Sequence, residues 1–391
     1  MPVMTGLSGN EIFCLNLKGL SPGELVIGNS VFSMGLFGSL AAAGRGFLGG
    51  EVPQVTSVIH DGRQMAFQRM VKEAHERGGI GVTGVTNELR TFHGSTEFLS
   101  VASTVHAQSP SGVGVTRGFT TSANGQELYC QLDAGFTPMH FVFGNVAYSI
   151  GAGGGIIGSL KAMSRGEIKE FSDVFNQTRH LALDRIIREA ASAGANAVIG
   201  IETRTMRFQG VHEMLMLGTA SHHAGLKVAG TGAGTGVAAG AIDYESAPAT
   251  HPHAAYPARA VTSDLTNEEM WNLVHIGYLP LKLVLGTAVY SLGVVGGLKA
   301  VLSSFSRGEI DPLTTLIYDA REHAIGLIRD EATAIGADDV VGIKTHIHEH
   351  GNLLEFMAIG TAVKRFGGVT TLSQSLPPQA IIKDKDTWIS G

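Results

Sequence analysis

An α+β fold of three tandem units is what this sequence predicts, each unit holding a short N-terminal helix, a long helix and a small antiparallel sheet. Three observations predict it. Residues 11–102, 127–218 and 269–360 superimpose without a gap, at shifts of 116 and then 142 positions, and self-similarity at this scale marks a repeated structural unit. Inside each copy the apolar spacing passes from three-and-four to alternation, which is helix followed by strand. Finally, 391 residues divide into three units of ordinary domain size, each long enough for its own core.

The elements follow in order. Ser8, Asn124 and Thr266 each stand three residues before a glutamate (Glu11, Glu127, Glu269), the capping-box spacing that starts a short helix. Gly19, Gly135 and Gly277 end it, and Pro22, Pro138 and Pro280 prevent its resumption. A β-rich run follows, Leu283 to Tyr290 in the third copy, and reads as the first strand. After a Gly-rich connection, Leu313, Leu316, Ile317, Ala320, Ala324 and Ile328 recur at helical spacing and define one apolar face. Gly336 closes this helix. Val340 to His348 alternates as a strand, turns near Gly351-Asn352 and returns through Leu353 to Val363. Copies one and two turn at His93-Gly94 and Gln209-Gly210.

The chain therefore divides into unit 1 (8–106), a linker (107–120), unit 2 (121–221), a Gly/Ala/Pro-rich linker (222–262), unit 3 (263–366) and a tail (367–391). Their Gly, Ser, Ala, Pro and Thr content makes the two linkers, with the tail, the segments expected to be mobile.

Composition excludes several classes. A net charge of −6 offers no basic footprint for nucleic acid. Cys14 and Cys130 occupy the same repeat position in different units, where the third copy has Asn272, so they read as buried thiols of a reducing compartment rather than a disulfide; a thiol metal site is the sharper reading. No secretion signal opens the chain, and the expected location is cytoplasmic. Residues 25–44 and 141–160 run without a charge, long enough to cross a bilayer, but they are crowded with Gly and Ser, and Lys282 and Lys299 interrupt the third copy. A strand entering a Gly-rich turn explains all three better.

Certain runs carry a resemblance: Ser306-Arg-Gly-Glu-Ile, Asp319-Ala-Arg-Glu-His-Ala, Ile335-Gly-Ala-Asp-Asp-Val-Val-Gly-Ile and Glu355-Phe-Met-Ala-Ile-Gly-Thr-Ala-Val. Copy two matches through Ala193 to Ile201 and Met214 to Ala220, and copy one, the most divergent, through Gly78 to Gly84. Each unit resembles the small YbjQ-like domain, labelled heavy-metal-binding. The resemblance implies a β-α-β-β unit of the dodecin-like kind that assembles into rings, commonly of five single domains. Here three units are covalently joined, which leaves the ring number open. The family has no settled enzymatic activity.

The charged residues repeated in triplicate are the candidate site residues. Arg63/Arg179/Arg321 and Glu73/Glu189/Glu331 border the apolar stripe of the long helix, but ten residues separate each pair by about 15 Å along the axis, so each needs a partner on another element or another unit. Glu51, Glu167 and Glu309 precede that helix, where a carboxylate meets the positive end of its dipole. Glu97, Glu213 and Glu355 lie on the return strand opposite Arg90, Met206 and His348; the partner changes while the glutamate does not, which points to a contact outside the hairpin.

Copy three alone offers a metal-like set. His346, His348 and His350 alternate on one strand face with Glu355 across from His348, a donor set for a divalent metal ion, with a solvated hairpin face as the plainer explanation. His222-His223 and His251-Pro-His253 lie in the long linker and are weaker. Gly153 to Gly158 has the glycine spacing of a dinucleotide loop without its βαβ context. No nucleophile elbow, metalloprotease helix or paired-cysteine signature is present.

The leading reading is a non-enzymatic assembly protein, a ring-like homo-oligomer whose units associate side by side and take a small ligand at their junctions. The second is a metal-binding protein proper using unit 3. The third is an enzyme with an inter-unit cleft.

Overall fold

Each unit begins where a capping box places it: the side chains of Ser8, Asn124 and Thr266 accept from the backbone N–H of Glu11, Glu127 and Glu269, and each glutamate returns to its cap's own backbone. The computed structural model describes residues 2–33, 50–93, 95–109, 114–149, 166–208, 211–226, 260–291, 311–350 and 353–381. Unit 1 comprises α1 (Gly9–Leu17), β1 (Leu20–Ser33), β2 (Gly50–Glu51), α2 (Pro53–Glu76), β3 (Gly81–Phe92) and β4 (Ser95–Ala107). Unit 2 repeats the order with β5 (Phe119–Thr120), α3 (Gly125–Asp133), β6 (Thr137–Ser149), β7 (Gly166–Glu167), α4 (Lys169–Ser192), β8 (Ala197–Phe208) and β9 (Val211–His222). Unit 3 comprises β10 (Val261–Thr262), α5 (Asn267–His275), β11 (Tyr278–Ser291), α6 (Asp311–Ala334), β12 (Asp339–His350) and β13 (Leu353–Arg365), and α7 (Pro378–Ile381) follows.

In every unit the return strand is central, flanked antiparallel by the first strand and its hairpin partner. The register sets Arg90 against Glu97, Met206 against Glu213 and His348 against Glu355. Each hairpin's first strand breaks register at the same repeat position, where Gly84, Gly200 and Gly342 have φ of +67°, +61° and +65°. Glycine at positive φ produces such a bulge at little steric cost and bends the strand. The long helices cross the first strands closely. A Cβ on Gly28, Gly144 or Gly286 would lie 2.1, 2.2 or 2.6 Å from the carbonyl oxygen of Ala66, Ala182 or Ala324.

What periodicity within one unit does not reveal is that the sheets exchange strands. β2 of unit 1 pairs with the end of β6, and β7 of unit 2 with the end of β11. In the opposite sense, β5 adds parallel to β3 of unit 1, and β10 parallel to β8 of unit 2. The linker segments 107–120 and 222–262 thus end in ordered strands.

The long helix covers more than one sheet. Ile186 and Ala190 of α4 share a core with Val142 and Val146 of their own sheet and with Leu283, Leu285 and Val289 of unit 3. Likewise Met70 and Ala74 of α2 pack with Phe141 and Phe143 of unit 2. Alternation along β6 and β11 supplies the two faces, one toward the strand's own helix and one toward the preceding unit's helix.

The expected mobile tail is corrected in part. Residues 367–381 dock on unit 2, where Ser373 donates through N–H and Oγ to Asp133 and Ala380 is buried among the short helices. The charge-free runs begin as β1 and β6. Among the described residues no helix is long and apolar enough to cross a membrane. The turn positions Gly94, Gln209-Gly210 and Gly351-Asn352, together with Gly153 to Gly158, His251, His253 and Glu309, lie outside the described residues.

Candidate functional site: the joints between units

The strand exchange and the shared helices place the repeated charges at two joints, between units 1 and 2 and between units 2 and 3. At the first, Arg63 of α2 and Glu213 of β9 are both fully buried. Arg63 Nη2 donates to Glu213 Oε2 at 2.8 Å and Nε to Oε1 at 3.4 Å, while Nη1 donates to Asn87 Oδ1 at 2.6 Å. Paired and fully hydrogen-bonded charges are the condition on which burial of a guanidinium is tolerated.

At the second joint Arg179 of α4 meets Glu355 of β13 through Nη2, which also donates to the Tyr148 hydroxyl at 3.0 Å. The other carboxylate oxygen bonds His350 Nε2 at 2.8 Å. Burial acts to raise the Glu355 carboxyl, and the Arg179 charge with the His350 bond outweighs it, so Glu355 titrates below the usual carboxylate range. The Arg179 guanidinium stacks against Tyr148 and Phe175, 4.7 and 5.0 Å from the ring centroids. His212 packs edge-on against His350 at 4.9 Å, and burial, with His350 and Arg207 adding to it, pushes it down to about 4.

Each joint repeats further contacts. Thr56 Oγ1 accepts from Ala147 N–H at 2.9 Å, and Ser172 Oγ from Val289 N–H at 2.9 Å, at equivalent positions. Glu51 reaches Arg185 of unit 2 at 2.7 Å, and Glu167 approaches His323 of unit 3 at 3.6 Å. These two glutamates therefore face the next unit's helix, and the N-caps Val52 and Ile168 make no side-chain cap bond.

Glu73, Glu189 and Glu331 act alike in another way, since each accepts the backbone N–H of its own first strand, from Ile27, Phe143 and Leu285 at 2.8, 2.9 and 3.1 Å. Their surroundings differ. Glu331 also meets Lys282 at 2.5 Å and His180 of unit 2 at 3.4 Å; burial acts to raise its carboxyl, but the contacts with His180 and Lys282 outweigh it and hold it at about 2. Gln64 stands at the repeat position of His180, and burial pushes Glu189 up to about 7. Glu189 lines a cleft of about 550 Å³ at the first joint with His60, Gln64, Phe143 and Arg185. A second cleft, of about 390 Å³, lies where all three units converge, with Thr86, Glu202, Arg204, Asp264, Lys344 and His346 in its lining.

The histidine set divides. His350 joins Glu355 in the buried joint, His346 lines the convergent cleft, and the His346 and His348 rings lie 6.4 Å apart. Among the described residues no group of three or more His, Cys, Asp or Glu side chains is arranged to hold a metal ion. Cys14 and Cys130 are free and buried, and burial raises both thiols.

One polar centre carries no repeat signal. Asp133 is fully buried and accepts from Lys18 Nζ at 2.6 Å, Trp271 Nε1 at 2.7 Å and Ser373 Oγ at 2.8 Å, which ties units 1, 2 and 3 and the tail to one carboxylate. Its repeat counterparts are Leu17 and His275, so comparison of copies passes over it. The available signal is an acid in the last turn of a short helix, beside the apolar Leu128, Tyr129 and Leu132.

The YbjQ family pattern, described as "Putative heavy-metal-binding", matches residues 21–107, 137–224 and 277–365. An encapsulin nanocompartment protein of Mycobacterium tuberculosis is 31% identical over 230 residues, covering 56% of this chain and 85% of that protein. UPF0145 proteins of Methanocella arvoryzae and Thermotoga petrophila are 41% and 39% identical over 81 and 80 residues, each covering 20% of this chain and 68% and 76% of their own lengths. No solved structure matches.

Proposed function

Because this chain belongs to the YbjQ family, with three of its units in tandem, we propose that it is a non-enzymatic assembly protein whose units associate side by side, within the chain and between chains, and take a small ligand at their junctions. The observation that carries this reading is the repeated joint: Arg63–Glu213 and Arg179–Glu355 are buried pairs at the same two repeat positions, so unit-to-unit association is built into the repeat itself. The relative named for a nanocompartment supports an assembly role. The convergent cleft, lined by side chains from all three units, is the junction best placed for a ligand.

The family description keeps metal binding as the second reading, carried by His346, His348, His350 and Glu355. One observation favours it: His348 Nε2 is buried without a hydrogen-bond partner among the described residues. A native mass spectrum of untagged protein, before and after a chelator, tests both. A discrete oligomer at its bare mass is the expected result. A chain monomeric at every concentration sinks the assembly reading, and extra mass removed by the chelator selects the metal.

A further inference from the structure

Two joints among three units leave two half-joints, one at each end of the chain. At the unit 1 end, Leu25, Ile27 and Val31 of β1 are exposed, on a face that no helix covers among the described residues. Ile27 is 51% exposed, whereas its counterparts at the two complete joints, Phe143 and Leu285, are 1% and 2% exposed. At the unit 3 end, Ile343 of β12 is 46% exposed, whereas its counterparts Val85 and Ile201 are 4% and 3%. Tyr318 of α6 is exposed as well.

The charges are divided in the same way. Arg321 stands on α6 where Arg63 and Arg179 stand on their helices, but it is exposed and has no ion pair among the described residues. Glu97 stands on β4 where Glu213 and Glu355 stand; it is half-buried and accepts only from Asn29 Nδ2, at 3.1 Å, among the described residues. The edge strands complete the pattern. Val3 and Met4 hold the repeat positions of the strands that add to the preceding unit, and the Met4 carbonyl accepts from Leu25 N–H at 2.7 Å. At unit 3, the first residues of β12 have no such parallel partner among the described residues.

Resting on the assembly reading above, we propose that a second copy of this chain docks head to tail, unit 3 of one copy on unit 1 of the next. Arg321 is then buried against the next copy's Glu97, the next copy's Leu25, Ile27 and Val31 cover α6, and its Val3-Met4 lies parallel to Asp339-Val340. The occupant follows from complementarity and continuity: the two surfaces are the separated halves of an interface already formed twice within the chain. Like ends do not satisfy each other, since a two-fold contact of unit 3 ends brings Arg321 to Arg321. A heterologous contact of this kind closes into a ring if its rotation permits and otherwise continues as a filament.

The test is a charge exchange on the full chain, read by sedimentation velocity and native mass spectrometry across a wide concentration range. Glu97→Arg and Arg321→Glu should each weaken association roughly a hundredfold, and both together in one chain should restore it. Ile27→Lys, at an exposed position, should weaken association while leaving the thermal melt of the isolated chain unchanged. Oligomers that persist in all three single variants overturn the head-to-tail interface while leaving assembly through another face intact. A wild-type chain that stays monomeric throughout overturns this inference and the assembly reading together.

Discussion

The first and second joints use the same pair of repeat positions and surround them differently. At the first, Arg63 is held on three nitrogens by Glu213 and Asn87, and Glu213 has Arg63 as its charged partner. At the second, Arg179 uses one nitrogen, shared between Glu355 and Tyr148, and Glu355 keeps His350 as a second partner. The arginine and glutamate set how units meet; the residues around them make each joint individual. Such individuality favours one order of units over another, since each pair fits its own neighbours.

The largest effect should come from breaking these pairs. Arg63→Met strands a buried carboxylate and should cost about 3–5 kcal/mol. Arg179→Met should cost less, because His350 still bonds Glu355. Replacing both partners at the first joint, Arg63→Met with Glu213→Leu, should recover most of the loss, because an apolar pair carries no desolvation cost. Guanidinium denaturation midpoints give the ranking. Equal losses for the two arginine variants would show that His350 contributes nothing to the second joint.

The joints should also differ in pH response, in opposite senses. Burial raises Glu189 at the first joint from 4.5 to about 7, so the unfolded chain releases this proton first. Its contribution is complete below pH 4.5 and is lost as pH rises through 7. At the second joint His212 falls from 6.5 to about 4, so its contribution is complete above pH 6.5 and is lost as pH falls through 4. The Glu189 limb is on the order of 3 kcal/mol, and the His212 limb is smaller, because that ring is only partly buried and solvent screens it. Glu189→Gln should flatten the alkaline limb and His212→Asn the acid limb in stability measured from pH 4 to 9. An alkaline limb unchanged in Glu189→Gln places the titrating group elsewhere.

Comparison of copies explains how much of this was readable beforehand. The caps, the helix stops and the hairpin register depend on neighbours within a few residues, and the periodicity of one unit contains them. That Arg63 and Glu73 could not pair was also readable, because the helix itself separates them. Their actual partners were not, because Glu213 is 150 positions from Arg63 and only the strand exchange brings them together. The tail was misread for a related reason: its Ser373 and Ala380 anchor to Asp133 and the short-helix core, long-range contacts that low-complexity composition does not announce. The alternation of His346, His348 and His350 puts them on one face and leaves both a metal set and a solvated hairpin open; that His350 bonds Glu355 in the buried joint while His346 lines the cleft depends on the neighbouring units.

Where the joints share backbone rather than side chains, they should respond alike. Gly84 and Gly200 sit at the same bulge with nearly equal positive φ; a Cβ on Gly84 meets nothing within 4 Å, and one on Gly200 meets only the Asn267 amide at 3.4 Å. Gly84→Ala and Gly200→Ala should therefore each cost about 1 kcal/mol, the left-handed penalty alone, with little between them. Beside each bulge the next unit's chain is tied on at the following residue by the same backbone bond, Val85 N–H to the Thr121 carbonyl at 2.9 Å and Ile201 N–H to the Ser263 carbonyl at 2.8 Å. Equal small losses in denaturant midpoint would place the common frame of the two joints in this backbone contact. A loss several-fold larger at one site would mean that its bulge, too, has been shaped by its own neighbours.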